Sequence, residues 1–396
     1  LIAGVIRDVG LIGGRGDLAF ANGRIVSQKP PGAEEICGTG YVALPRLTDP
    51  HLHLDKTLLG ERWSPHLTGG SIAERIRLEI DVLASPDIED LFRRGERLLK
   101  MAVANGSTRI RSHVDISAGL GLSRLDALLA LREAYRDVAD ISFVAFPQEG
   151  VLSSPGTAEL LDEALSMGVE AIGGLDPVTR DGNMDGQLDV VFGLAAKYAS
   201  RVDIHLHDPE EIGTSTMREI AARTIALDLQ GKVAISHGYA LGMVDERELE
   251  RTAIPLVEAG VTLISNVPGK EPRPRYDALV DLGMNVVFAS DNVRDSWSPF
   301  GKADMLERVA LAGYLLGWDE DARLLSGLAH VTTAPALALG DEPAQLRPGD
   351  PADFTLVPAG SYLEAIVSQP SGRIVYRGGR VVSNQGQVVP APPAPV

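Results

Sequence analysis

Cysteine is almost missing from this chain: Cys37 stands alone among 396 residues. A single thiol excludes an internal disulfide and a cysteine-based zinc site. Long apolar runs are missing too; none reaches roughly 18 residues, so no bilayer-spanning helix is expected. Positive charge is in deficit, with 37 Lys and Arg against 54 Asp and Glu, a net charge of −17 and a pI near 4.9. That balance argues against nucleic acid or an anionic membrane surface as the partner. No G-x-G-x-x-G turn follows an early strand, which weakens dinucleotide binding, and no solenoid-length repeat occurs. The opening LIAGVIRDVGLIGG lacks the basic and apolar regions of a signal peptide, and Leu1 in place of Met suggests a missing initiator. A cytoplasmic location is expected.

What is present is a long alternation. From about residue 46 to 335, short apolar runs alternate with amphipathic stretches. The runs Val42–Leu47 (continuing toward His53), Ser107–Ile116, Ile141–Gln148, Ala171–Leu175, Val202–His207, Val233–His237, Val261–Asn266 and Val286–Ser290 read as strands. Pro86–Ala104, Ser123–Val138, Thr157–Met167, Gln187–Ala199, Thr214–Leu229, Glu246–Ala259 and Lys302–Gly317 read as helices. Ser85, Ser123 and Thr157 are expected as caps, Ser85 with Pro86 in the first helical position and Asp87, Glu89 and Asp90 in the first turn. Eight strands alternating with helices predict an α/β fold, a (β/α)8 TIM barrel over residues 46–339. Residues 1–45 and 340–390 are short strands separated by Gly/Pro/Asp turns. Neither end alone supports a core, so the two are expected to pack as one small sheet domain. The tail QGQVVPAPPAPV is expected to be extended and poorly ordered.

Six of the eight histidines close apolar runs, four of them as His-x-His pairs: His51 with His53, and His205 with His207. Residues i and i+2 of a strand share a face, so each pair aims two imidazoles one way. Functional groups of such barrels sit at the C-terminal strand ends. There the pattern brings together His51, His53, His113, Gln148, His205, His207, His237 and Asp291. Imidazole is the commonest ligand for divalent transition metals. A lone histidine in a strand is more often a satisfied core residue, but six at strand ends with a closing acid favour a metal site.

The motifs DPHLHLDKT (49–57), FPQEG (146–150), DIHLHD (203–208), SHGYALG (236–242) and ASDNVRDSWSPFGKADML (289–306) resemble the amidohydrolase superfamily, and within it the cytosine deaminase-like branch. The resemblance runs over the whole chain, since that family pairs a metal-bearing barrel with a small β-sandwich domain built from both chain ends. It implies one divalent ion, zinc or iron with manganese also compatible, held by His51, His53, His205 and Asp291. Bimetal members carry a lysine at the end of strand 4; AIGGLDP has none, which favours a mononuclear site. Such an ion would lower the pKa of its water and make hydroxide available near neutrality.

The resemblance further implies proton transfer by Asp291, orientation of water by His237, and substrate recognition by Gln148, Asn292 and Trp297. Gln148 could instead satisfy backbone groups, and Trp297 could be plain packing. Cytosine deaminases carry Glu three residues after the strand-5 histidine; Asp208 stands there, one methylene shorter, as the expected ring-nitrogen acid. Glu210, Glu211 or His207 are the alternatives for that role, and His207 could also read substrate or line the pocket. His113 is either an outer partner of a ligand or core, and Lys56 either an anion attractor or a surface lysine.

The implied activity is a metal-dependent aminohydrolase (deaminase) releasing ammonia from an amino-substituted nitrogen heterocycle, cytosine-like, isoguanine-like or a triazine. A cyclic amide or N-acyl amidohydrolase on the same metal is the alternative; a catalytically degenerate binding protein is the third reading, against which the intact ligand set argues. A homo-oligomer taking a small heterocyclic substrate, with no nucleic acid or membrane partner, is expected.

Overall fold

The computed structural model describes residues 2–63, 72–83 and 88–389. Its centre is an eight-stranded parallel sheet, in chain order Leu47–Leu52, Ser107–Asp115, Asp140–Phe146, Ala171–Leu175, Arg201–Leu206, Val233–His237, Thr262–Ser265 and Asn285–Phe288. Each strand pairs with the next. Past the last strand, Asp291 bridges to Leu52 and its N–H donates to the His51 carbonyl at 2.8 Å, which brings the eighth strand back to the first. These strands are buried almost throughout, as parallel strands between a packed interior and a helical layer must be. The (β/α)8 architecture follows.

The expected helices form as Ile88–Ala104, Ser123–Ala134, Thr157–Ser166, Met184–Tyr198, Glu210–Ala226, Glu246–Glu258 and Met305–Leu316. Two caps are corrected. Ser123 and Thr157 are the first helical residues, behind Leu122 and Gly156, and neither caps with its side chain. Ser123 bonds back to the Leu120 carbonyl instead. Among the described residues the side-chain caps are Asn183, Asp245, Asp304 and Ser361, each accepting an N–H two or three residues on. Ser85, Pro86 and Asp87 lie outside the described residues, as does the tail beyond Val389. A helix that the pattern did not suggest, Ile72–Leu83, follows the first barrel strand.

The two chain ends form a separate nine-stranded sheet. Ala3–Leu11, Gly14–Ala21, Arg24–Val26, Glu34–Cys37 and Val42–Pro45 come from one end, and Phe354–Val357, Ile374–Arg377, Arg380–Asn384 and Gln387–Val388 from the other. Antiparallel pairing of Val42–Pro45 with Phe354–Val357 joins the two sets. The run Val42–Leu47 is therefore not one strand. It divides at Arg46, whose N–H bonds to the Asp353 carbonyl and whose guanidinium contacts Asp341 and Asp353. Both halves are buried and apolar, so hydropathy alone cannot see that they belong to different sheets. Phe20, Phe354 and Tyr376 pack ring to ring in the terminal sheet's own core.

Candidate active site

The strand ends bring the expected imidazoles together. The ring of His51 lies 5.3 Å from His53, 4.0 Å from His113, 4.6 Å from His205 and 5.5 Å from His237. Asp291 Oδ1 is 3.4 Å from His51 Nε2 and 3.3 Å from His53 Nε2. Two overlapping groups could hold an ion: His51, His53, His113 and His205, or His51, His205, His237 and Asp291. His51 and His205 belong to both, while His53 and Asp291 are divided between them. The donor chemistry fits a divalent transition metal. His51 Nε2 and both ring nitrogens of His205 are buried without a hydrogen-bond partner, as lone pairs reserved for a ligand would be. Burial and the crowd of neighbouring imidazoles hold His113, His205 and His237 well below the ordinary histidine range, which keeps those lone pairs free.

His51 has its tautomer set from behind. Arg111 donates to Asp203, Ser236 Oγ lies 2.6 Å from the other carboxylate oxygen, and His51 Nδ1 lies 2.8 Å from Ser236 Oγ. A carboxylate only accepts, so the Ser236 hydroxyl donates to Asp203 and accepts from His51 Nδ1–H. That leaves Nε2 bare and facing Asp291. Asp203 shares the inward face of its strand with His205, so strand parity was a signal that could have found it.

Above these residues opens a cavity of about 1030 Å³. His53, Gln148, His205, His207, His237, Asp291, Asn292 and Trp297 all line it. Lys56 lines it as well and is only 2% exposed, so the surface-lysine alternative is overturned. Its ammonium donates to Gln148 Oε1, which leaves the buried Gln148 Nε2 unpartnered. One wall is apolar, where Ile76, Phe146, Leu175 and Trp297 pack. Asn292 donates to Asp295 at 2.6 Å.

Asp208 does not line the cavity. Its carboxylate accepts from Thr179 Oγ1 at 2.5 Å and from the Val178 and Thr179 N–H groups at 3.3 Å, so it braces the loop after strand 4. Glu210 and Glu211 are exposed at a helix start and are absent from the lining too. His207 is in the wall, with Nδ1 2.9 Å from Asp176 Oδ2 and its ring stacked on His237 at 4.3 Å. Burial alone would lower the His207 pKa, but the Asp176 carboxylate outweighs it and raises it. His113 is fully buried, 3.7 Å from Asp203, and stays in one of the two possible ligand groups.

Sequence reasoning missed Asp176, Asn266 and Glu79. Asp176 follows strand 4, where only an absent lysine was sought. Asn266 ends the run after strand 7 and donates to Asp291 Oδ2 at 2.7 Å. Glu79 sits on the unanticipated helix. Asp176, His237 and Asp291 all hold positive φ (38°, 73° and 58°), a conformation that costs non-glycine residues energy and gathers at functional strand ends.

Behind Lys56 lies a buried ionic cluster. Lys56 pairs with Glu79 at 3.4 Å; Arg124 pairs with Asp55 at 3.5 Å, Asp115 at 3.4 Å and Glu79 at 3.9 Å. Three carboxylates face two cations, and burial pushes Asp115 up to about 7.

Residues 38–383 match the model of the Amidohydrolase family. The N-isopropylammelide isopropyl amidohydrolase of Pseudomonas sp. strain ADP is 29% identical over 365 residues, 90% of this chain and 89% of that one. The crystal structure of N-isopropylammelide isopropylaminohydrolase from Burkholderia multivorans superposes with a TM-score of 0.93 at 36% identity, covering 98% of this chain and 100% of the other. That of 5-methylcytosine deaminase from Klebsiella pneumoniae, liganded with phosphonocytosine, gives a TM-score of 0.84 at 27% identity over 96% and 98%.

Proposed function

The chain belongs to the amidohydrolase family, enzymes that hydrolyse C–N bonds, and from that premise we propose that it removes an amino or alkylamino substituent from an oxo-bearing nitrogen heterocycle. The observation that carries this reading is the cavity. Two buried donors, Lys56 Nζ and Gln148 Nε2, flank an apolar wall, and the imidazole cluster lies beneath. A ring oxo group would satisfy the donors, and a flat ring with an alkyl arm would fill the apolar side. A volume of about 1030 Å³ leaves room beyond a bare pyrimidine. The named relatives act on an N-alkylated triazine and a methylated cytosine, two rings of this class.

His51, His53, His205 and Asp291 would hold one divalent ion. Bound there, the ion would make water a competent nucleophile near neutral pH and polarise the carbon under attack. Asp291, braced by Asn266, takes a proton from the attacking water. His237, at the cavity edge, orients that water. As the new C–O bond forms, His207, oriented by Asp176, gives a proton to the ring nitrogen that receives the electron pair. The C–N bond then breaks: the amine leaves with the proton taken up by Asp291, and the proton of the new hydroxyl returns to His207 as the ring oxo group forms. Asp208 acts at one remove, through the loop that carries Asp176.

The test is a panel of amino- and alkylamino-substituted pyrimidines and triazines, offered to protein of measured metal content. Release of ammonia or alkylamine with the ring intact is expected. A ring-opened carboxylate product would replace the proposal with cyclic amide hydrolysis. Full metal occupancy with no turnover across the panel would refute it.

A further inference from the structure

Helix Ile72–Leu83 has no place in the chemistry just described, yet three of its residues converge on one cavity side chain. Arg75 places its guanidinium 5.9 Å from the Trp297 ring centre, and Ile76 packs with Trp297, Phe146 and Leu175. Glu79, one turn further on, accepts from Trp297 Nε1 through Oε2 and pairs with Lys56 through Oε1 at 3.4 Å. Residues 75, 76 and 79 lie on one helical stripe, so a single face delivers all three. Glu79 is 1% exposed, and an acid that deeply buried is retained only with partners. Its nearest partners are the apolar and the cationic anchors of the cavity wall, with Arg124 further off at 3.9 Å.

We propose that Glu79 is a positioning residue for substrate, one carboxylate that fixes the Trp297 indole and the Lys56 ammonium in register and so sets affinity and ring selectivity without entering the chemistry. This rests on the proposed function only for the nature of the ligand; the packing of Trp297 and Lys56 on Glu79 does not. A carboxylate suits the place because Oε2 accepts from the indole N–H while the negative charge on Oε1 faces the Lys56 ammonium at 3.4 Å. Glutamine has the same size but one oxygen. With it, either Trp297 loses its acceptor or an amide N–H₂ faces Lys56, and Lys56 loses one of its buried counter-charges.

The experiment compares full-length Glu79→Gln with the parent protein in three readouts. In steady-state kinetics on the best panel substrate, KM is expected to rise at least tenfold, with kcat within about threefold and metal content unchanged. In tryptophan fluorescence, the emission assigned to Trp297 by difference against Trp297→Phe is expected to shift and become more open to acrylamide, and this needs no substrate. In a double-mutant cycle, Glu79→Gln should raise KM no further once Trp297 is phenylalanine and Lys56 is methionine. Unchanged Trp297 emission overturns the proposal even if no substrate is found. A fall in kcat with loss of metal also overturns it, since that marks a general structural role. Should Glu79→Gln fail to fold, Trp297→Phe and Lys56→Met combined must show coupled KM effects for the proposal to stand.

Discussion

Replacing Asp203 with asparagine should reverse a chain of hydrogen bonds that ends on His51. In the native chain Asp203 accepts from both Arg111 and Ser236, so His51 carries its proton on Nδ1 and leaves Nε2 bare. In Asp203→Asn the amide oxygen stays with Arg111 and the N–H₂ faces Ser236. Ser236 then accepts from that amide and donates to His51 Nδ1, which moves the ring proton to Nε2. Binding a metal through Nε2 now requires two buried donors to face each other. An unmade buried bond of that kind costs about 1–3 kcal/mol. Expressed as affinity, the loss is roughly 5- to 150-fold, close to the tenfold to hundredfold effects usual for groups that orient ligands. Ser236→Ala should lose less, because a methyl group replaces the opposing donor. The assay is competition for Zn²⁺ against a chromophoric chelator at fixed pH. Asp203→Asn also strips Arg111 of its counter-charge, a destabilisation of about 3–5 kcal/mol that appears separately as a lowered Tm. The reasoning is refuted if folded Asp203→Asn binds Zn²⁺ within twofold of the parent, or if Ser236→Ala loses more than it does.

Other outcomes follow from the same geometry. His207→Ala should lower kcat by about 10²- to 10⁴-fold, the usual worth of a general acid, with metal content intact; Asp208→Asn should cost less than either His207→Ala or Asp176→Asn, and the opposite order would return the acid role to Asp208. Asp115 holds a proton in the folded state up to about pH 7 that the unfolded chain releases near its ordinary value, so its own contribution to stability is greatest in acid and declines as pH rises through that window. Asp115→Asn should abolish that slope, worth up to about 4 kcal/mol from three pH units at 1.36 each; urea titrations between pH 5 and 8 that show parallel slopes for both proteins would count against it. Chelation should lower the Tm of the parent and restore it on adding metal, since a ligand binding only the folded state at a thousand times its Kd stabilises by about 4 kcal/mol. His51→Ala should be insensitive to the chelator, and a parent-like response there would remove His51 from the ligand set.

Much of the barrel was legible because hydropathy reports burial directly. Ala171–Leu175 and Val233–His237 form as strands over the residues expected, and the other interior runs differ by a few residues at their ends. Val42–Leu47 failed because burial does not say which sheet a strand joins. Ser123 and Thr157 failed as caps because the residue before each already takes the non-helical turn, Gly156 at φ 95° among them. The histidines were found because strand parity aims i and i+2 one way, and it still holds one residue past the strand ends, at His53 and His207. The same parity puts Asp208, at an odd offset from His205 and His207, on the other face. Its direction is set by Thr179, 29 residues away in sequence.

By itself, the sequence determined the absence of a strand-4 lysine, the alternation of strands and helices and the ends that carry imidazoles, the last two being patterns of period 2 or 3.6 that the local backbone enforces. Only the tertiary structure decided which titratable groups face the cavity, which groups orient the imidazoles, and which helix completes the wall. Those choices rest on bonds between distant segments: His207 with Asp176 across 31 residues, Trp297 with Glu79 across 218, and His51 with Ser236 across 185. A hydrogen bond depends on position in space, and position is fixed only once the barrel has brought its strand ends to one mouth.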